Sequence, residues 1–237
     1  MRTGGKILAT VLDRLSKHVM VGMNTQALAD FAAKELQSLG GKPAFLGYYD
    51  FPDVLCVSVN DEVVHGIPKR SKVINSGDIV SMDFGVLYDG LITDAAISVI
   101  VGKAKPGDEK LVETTKKSLY AGIKAVKSGV YVGDISAAIE KILTANNYGI
   151  VRDLVGHGVG HKLHEDPNIP NYGHKRTGSR LEKSMTIAIE PMATLGDWHV
   201  YTGSDGWTVN TKDGSRSAHF EHTVLITDSG AEILTQL

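Results

Sequence analysis

The chain has 237 residues, 42% hydrophobic and 22% charged, with a formal net charge of −2. A fold of this length buries roughly 70–75% of its unfolded surface, as one large domain or as two fused halves. The near-neutral balance leaves no basic footprint for nucleic acid and no polybasic membrane patch. Apolar runs all fall short of the ~18–20 residues of a membrane span, and Cys56, the single cysteine, excludes an internal disulfide and fits a reducing cytoplasm.

Ile7, Leu8, Val11, Leu12 and Leu15 recur at helical spacing, with Lys6, Asp13 and Arg14 between them. This predicts an amphipathic helix over 3–18 in place of a secretory h-region. A second helix is expected over 25–39, ended by Gly40-Gly41. Val54–Val59 and Glu62–Val64 read as short strands leading into His65-Gly66-Ile67-Pro68. Ile79–Val86 and Leu91–Val101 form a hairpin through Tyr88-Asp89-Gly90, where Asp-Gly favours a tight turn. The plan then repeats: a helix from Asp108 to Lys127, a second over 134–146, and a strand-rich remainder. A shift of 107 residues sets Gly22 on Gly129, Leu36 on Leu143 and Asp83 on Glu190. The expectation is one domain over 1–237 built from two similar halves, about 1–105 and 106–237.

Acidic residues inside apolar, strand-like segments need a reason to be there, because burying an unpartnered charge costs several kcal/mol. If Asp89 and Gly90 form the loop, Tyr88 pairs with Leu91 and Ala96 lies opposite Asp83. Asp94 is then a diagonal neighbour of Asp83 on the same face, at roughly 7–8 Å between backbones. A cation between them satisfies both carboxylates, although a solvated polar hairpin face also fits the hairpin alone. In Gly156-His157-Gly158-Val159-Gly160-His161, glycines flank a histidine and let the backbone bring the imidazole close to a ligand, and His164 follows. His161 fits a bystander pointing to solvent. Ile187-Ala188-Ile189-Glu190 ends an apolar strand at Pro191, and Glu221 is embedded in the strand His219–Ile226. Asp83, Asp94, His157, Glu190 and Glu221 together make a hard, oxygen-rich donor set suited to a pair of Mn, Fe or Co ions.

In this order the segments resemble the methionine aminopeptidases. The carriers are His65-Gly66-Ile67-Pro68, Asp83…Asp94, Gly156-His157-Gly158-Val159-Gly160, His164-Glu165-Asp166-Pro167, Ile189-Glu190-Pro191-Met192, Asp205-Gly206-Trp207-Thr208 and Glu221-His222-Thr223. Only 25 residues separate His164 from Glu190, which resembles the type I form. The resemblance spans Met1 to Leu237. It implies the α+β "pita-bread" fold, with two pseudo-symmetric halves of antiparallel sheet flanked by helices. It also implies removal of the initiator methionine from nascent polypeptides by a cytoplasmic monomer that meets the ribosome transiently.

Carried over by position, the resemblance implies two divalent ions (Co, Mn, Fe or Zn). Asp83 and Asp94 chelate one, together with a bridging Glu221. His157 and Glu190 hold the other, with Asp83 or Glu221 spanning both. Glu190 also carries a proton to the leaving amine, His164 bonds the carbonyl oxygen as it gains charge, and His65 bonds the substrate amide nitrogen or helps protonate it. Tyr48, Phe51, Cys56, Leu163 and Trp207, with Phe45 nearby, line the methionine pocket, where aromatic edges and a thiol suit a thioether. A monovalent cation near Asn60, Glu62 and Ser217 is also implied.

The departures from the family pattern are Thr93 before the second aspartate and Ala95-Ala96 after it, expected close to the metals. The family's short N-terminal segment is also missing before the first helix. An Xaa-Pro peptidase of the same fold is the nearest rival, set aside because its relatives carry a large N-terminal domain. A catalytically inactive binding protein of this fold is set aside because all five ligand positions and both helper histidines remain.

Overall fold

A computed structural model describes residues 1–237. The first half runs α1 (Arg2–His18), α2 (Thr25–Ser38), β1 (Lys42–Pro43), β2 (Leu55–Val59), β3 (Glu62–Val64), β4 (Asp78–Tyr88) and β5 (Leu91–Val101). The chain continues with α3 (Asp108–Ala125), α4 (Val132–Thr144), β6 (Gly149–Ile150), β7 (Gly156–Gly158), β8 (Glu165–Ile169) and β9 (Thr186–Ile189). Six further strands complete it: β10 (Met192–Thr194), β11 (Val200–Thr202), β12 (Val209–Thr211), β13 (Ser217–His219), β14 (His222–Ile226) and β15 (Ala231–Ile233).

The helices form where the apolar spacing places them. Ile7, Leu8, Val11, Leu12 and Leu15 of α1 are all buried. Asn24 caps α2 by accepting the Ala27 N–H at 3.0 Å, which satisfies one of the free donors of the first turn. At the start of α4, Asp134 reaches back to the Tyr131 N–H at 2.9 Å.

One sheet pairs β4 with β5 along its whole length and with β2 and β1 on the other side. A second runs β15-β14-β9-β7-β8, and two three-stranded sheets, β13-β10-β6 and β11-β12-β3, lie alongside. The hairpin register pairs Tyr88 with Leu91 and Asp83 with Ala96, as the turn predicts. The apolar core divides into two clusters of nearly equal size, 18 buried residues around α1, α2 and the first sheet and 19 around α3, α4 and the second. The ground between them is therefore free for polar residues.

Polar groups do join the two sheets. The Glu221 N–H donates to the Ala96 carbonyl at 2.9 Å, and the Ala96 N–H returns a 3.3 Å bond. On one side of this pair the Thr223 hydroxyl accepts the Asp94 N–H at 2.9 Å and donates to the Asp94 carbonyl at 2.8 Å. On the other, the Ser98 hydroxyl accepts the His219 N–H at 2.9 Å and donates to the His219 carbonyl at 2.8 Å.

Three expectations need correcting. Glu221 lies in a break between β13 and β14, and Pro191 does not simply end a ladder: β10 resumes at Met192 but pairs with β13 in another sheet. Thr93 and Ala95 do not approach the acidic cluster. Strand alternation turns them towards α1, where a Cβ added to Gly4 would lie 3.6 Å from the Thr93 hydroxyl and Ala95 packs in the first core.

Candidate metal centre and adjoining apolar pocket

Asp83 and Asp94 leave the same face of the β4–β5 hairpin, Asp83 across from Ala96 and Asp94 across from Gly85. His157 lies in β7 opposite Ala188 of β9, and Glu190 follows the last residue of β9. Glu221 comes from the break that contacts Ala96. Asp83, Asp94, His157 and Glu221 are buried and Glu190 is largely so. All five line one concave cavity, the kind of setting in which small-molecule sites occur.

The donor chemistry demands a cation. Asp83 Oδ1, Asp94 Oδ1 and Glu221 Oε1 are buried without a hydrogen-bond partner. Ligand atoms of Asp94, His157 and Glu221 lie within 4.8 Å of one another. Burial, together with the charge of Glu190, pushes the Asp83 carboxyl up to about 7 against an opposing pull from His219. Burial alone pushes Glu190 up to about 8. Asp94 is raised well above the carboxylate range by burial and then by Asp83 and Glu190, and Glu221 by burial and then by Asp94, Glu190 and Asp83. Four carboxylates that cannot ionise together by themselves are a good fit to divalent metal.

His157 is prepared in the same sense. Its Nδ1 lies 2.9 Å from the Gly158 carbonyl, and a carbonyl only accepts, so the proton sits on Nδ1. The Nε2 lone pair then faces Glu190 Oε1 at 3.6 Å. Two acceptors turned towards each other leave room for a cation and for little else. Burial, helped by His164, lowers the imidazole to about 4, so it is neutral and able to coordinate at pH 7. Gly158 is needed here, since a Cβ would stand 2.3 Å from the Asp166 carbonyl oxygen.

The other walls belong to the remaining predicted residues. His164 stands at the rim, its ring centroid 4.2 Å from that of His157, with Nδ1 2.7 Å from the Tyr48 hydroxyl. His65 follows β3 in the left-handed region at φ +58, which turns its side chain out of the strand pattern, and is lowered to about 4 by burial and by His219 and His164. Phe45, Phe51, Cys56 and Leu163 form a buried cluster against which Tyr48 and Trp207 pack. The Trp207 ring meets Phe51 edge-on at 5.1 Å and 78°. Burial and then the nearby Asp83 charge raise the Cys56 thiol well above its usual range, so it serves as apolar lining and not as a nucleophile. His161 is exposed and does not line this cavity. Near Asn60, Glu62 and Ser217 the Ser217 hydroxyl lies 2.9 Å from the Asn60 carbonyl and 3.1 Å from that of Glu62.

Sequence reading gives Asp205 no role beyond its place in a family-like segment, and it does not single out His219. Asp205 accepts N–H bonds from Trp207 and Thr208 at 3.1 and 2.9 Å and so builds the turn that presents the indole. His219 is 1% exposed, and its ring stands beside Glu190. It lies two residues before Glu221, and strand alternation is the signal that could have found it.

Residues 1–228 match metallopeptidase family M24. The methionine aminopeptidase of Aquifex aeolicus is 48% identical over 249 residues, which cover 100% of this chain and 95% of that protein. The crystal structure of the methionine aminopeptidase from Thermotoga maritima superposes with a TM-score of 0.98 at 47% identity, covering 100% of this chain and 95% of that one. The prolidase of Pyrococcus furiosus shares only the fold, with a TM-score of 0.79 at 23% identity over 62% of its length. The chain belongs to metallopeptidase family M24 and, within it, to the type I methionine aminopeptidases.

Proposed function

We propose that this protein removes the N-terminal methionine of nascent polypeptides by metal-assisted hydrolysis of the first peptide bond. The observation that carries the reading is the junction of two surfaces in one cavity. A floor of unpartnered carboxylate oxygens and one neutral imidazole adjoins a sulfur-compatible wall of Phe45, Phe51, Cys56, Leu163 and Trp207. Full-length relatives named for this activity support it.

Asp83, Asp94, His157, Glu190 and Glu221 would hold a pair of divalent ions. Ions so bound would supply water acidic enough to attack at neutral pH and would polarise the scissile carbonyl. The chain's own residues do the rest. The apolar wall seats the methionine side chain and excludes water. His164, held at Nδ1 by Tyr48, turns Nε2 to the carbonyl oxygen as charge gathers there. His65, kept neutral by burial, bonds the amide nitrogen, and Glu190 moves the proton to the leaving amine. With the terminal side chain seated against Phe45, Phe51, Cys56, Leu163 and Trp207, the first peptide bond comes to the carboxylate side of the same cavity. A monovalent cation near Asn60, Glu62 and Ser217, and transient docking of a monomer on the ribosome, belong to the same reading.

Norleucine and leucine side chains match methionine in heavy-atom number and differ by the sulfur or by branching. Such changes are on the order of the 1–3 kcal/mol that one methylene discriminates, so peptides carrying them are cleaved slowly and are not excluded. The test is a comparison of Met-Ala-Ser with an Xaa-Pro dipeptide on metal-loaded protein. Free methionine released with the Xaa-Pro peptide intact is the expected result. Preferential Xaa-Pro cleavage would overturn the assignment.

A further inference from the structure

Beside Glu190 stands His219. Its ring is buried, and neither Nδ1 nor Nε2 has a hydrogen-bond partner. Its Nε2 lies 3.5 Å from Glu190 Oε2, while His157 Nε2 lies 3.6 Å from Glu190 Oε1. The glutamate is therefore bracketed by two imidazoles, one at each oxygen, and the two are not equivalent. His157 keeps its proton on Nδ1 because the Gly158 carbonyl accepts it, so it has none to offer Oε1. No such tie fixes the tautomer of His219, and a carboxylate oxygen, Glu190 Oε2, lies 3.5 Å from its Nε2. A proton on Nε2 is then the arrangement in which donor faces acceptor.

The ring has little freedom to leave. Its backbone N–H and carbonyl are both bonded to the Ser98 hydroxyl, which the Ser81 hydroxyl contacts in turn at 2.7 Å. The Cα is paired with Met192 of β10, the strand entered directly after Glu190 and Pro191. Two connected strands thus hold histidine and glutamate against each other. His219 is not among the residues lining the cavity, and its ring is buried.

We propose that His219 is a positioning residue: it donates Nε2–H to Glu190 Oε2 and so commits Oε1 to the metal side, beside His157. This rests on the metal-dependent methionine release proposed above. The 3.5 Å separation shortens into a hydrogen bond once the charge of Glu190 is fixed, as catalytic contacts commonly tighten in the working complex. Without the donor the carboxylate can rotate and present either oxygen, which disorders the ligation by Glu190 and the proton transfer together.

The test compares His219→Leu, which removes the donor, with His219→Gln, which returns an N–H at similar reach. Readouts are kcat and KM for Met-Ala-Ser, the isotherm for Mn titrated into metal-free protein, and Tm. The expected result for His219→Leu is a kcat lower by about 10–100-fold and Mn affinity weaker by about tenfold, with KM nearly unchanged. His219→Gln should recover both to within about fivefold of the unmodified protein. Unchanged kcat and Mn isotherm in His219→Leu would overturn the proposal, as would equal impairment in the two variants, which would mean the ring only fills space. If His219→Leu does not fold, His219→Met takes its place with the same expectations. Should the unmodified protein release no methionine, the functional reading fails, yet the three Mn isotherms still decide the role of His219.

Discussion

Asp83, Asp94, Glu190 and Glu221 are held as acids in a place where their charges repel, and this has a consequence in the metal-free protein. Burial and mutual charge raise all four above their ordinary range, Asp83 to about 7 and Glu190 to about 8. The unfolded chain releases these protons near pH 4, while the folded chain keeps them. These four groups therefore bind more protons in the folded state between about pH 4 and 8. His65 and His157, lowered to about 4, oppose them below about 6.5, so stability falls most clearly as pH rises from there to 8. Chelated protein should show a lower Tm at pH 8 than at pH 6, and added Mn should raise Tm more at pH 8. A chelated protein equally stable at both would contradict this electrostatic account. His65 makes a separate prediction, because it lines the cavity without belonging to the acidic cluster. His65→Ala should lower turnover by about 100-fold or more while metal content by elemental analysis stays the same. A parallel fall in metal would remove it from the substrate side.

At the scale of elements, the hairpin was legible in full. An Asp-Gly turn sets the pairing of Tyr88 with Leu91, and a period of two then places Asp83 and Asp94 on one face without further information. The same period sends Thr93 to the opposite face, so its burial against α1 follows from local pattern as well. Glu190 and Glu221 were legible as acids ending or interrupting apolar runs, but not as residues in breaks. The switch at Pro191 from the β14-flanked sheet to β13 depends on pairing between strands distant in sequence, and no local signal encodes that. The Trp207 turn lies between these cases. Asp-Gly marks a turn, but the grip of Asp205 on it is a matter of geometry. Burial opposes ionisation of Asp205, yet hydrogen bonds from Thr208, Trp207 and Lys69 outweigh it and hold the carboxyl well below its usual range. Its contribution is thus present above the ordinary carboxylate range and lost only in strong acid. Asp205→Ala should cost about 2 kcal/mol, a fall of roughly 4–8 °C in Tm, and should raise KM for methionyl peptides more than it lowers kcat. An unaltered KM would mean that Trp207 does not need this turn to shape the pocket.

For the whole molecule, we propose that the two halves share one ancestral plan and that the metal centre occupies their junction. The 107-residue offset relating Asp83 to Glu190 follows the sequence well through the helices. At the seam, Ser98 holds both backbone groups of His219 just as Thr223 holds both of Asp94, with Ala96 and Glu221 paired between them. That relation needs a wider offset, 125 residues, because β11, β12 and the Trp207 turn intervene in the second half. A single shift therefore finds the duplication only as far as Glu190. The two cores stay apart and the acids gather in the gap, so metal binding should couple the halves. Saturating Mn should raise Tm of the chelated protein by several degrees in a single transition, by the mass-action stabilisation of a folded state that alone binds the ion. Two separate transitions, only one of them moved by Mn, would argue against a shared centre.

The account's main claim is that these carboxylates and His157 hold metal for cleavage behind a terminal methionine. It is tested most directly by treating the protein with a chelator, removing the chelator, and following methionine released from Met-Ala-Ser as Mn, Fe or Co is added back. Release should be abolished by chelation and return with metal, rising until the centre is filled. No methionine under any of the three metals, or full release before metal is restored, would contradict it.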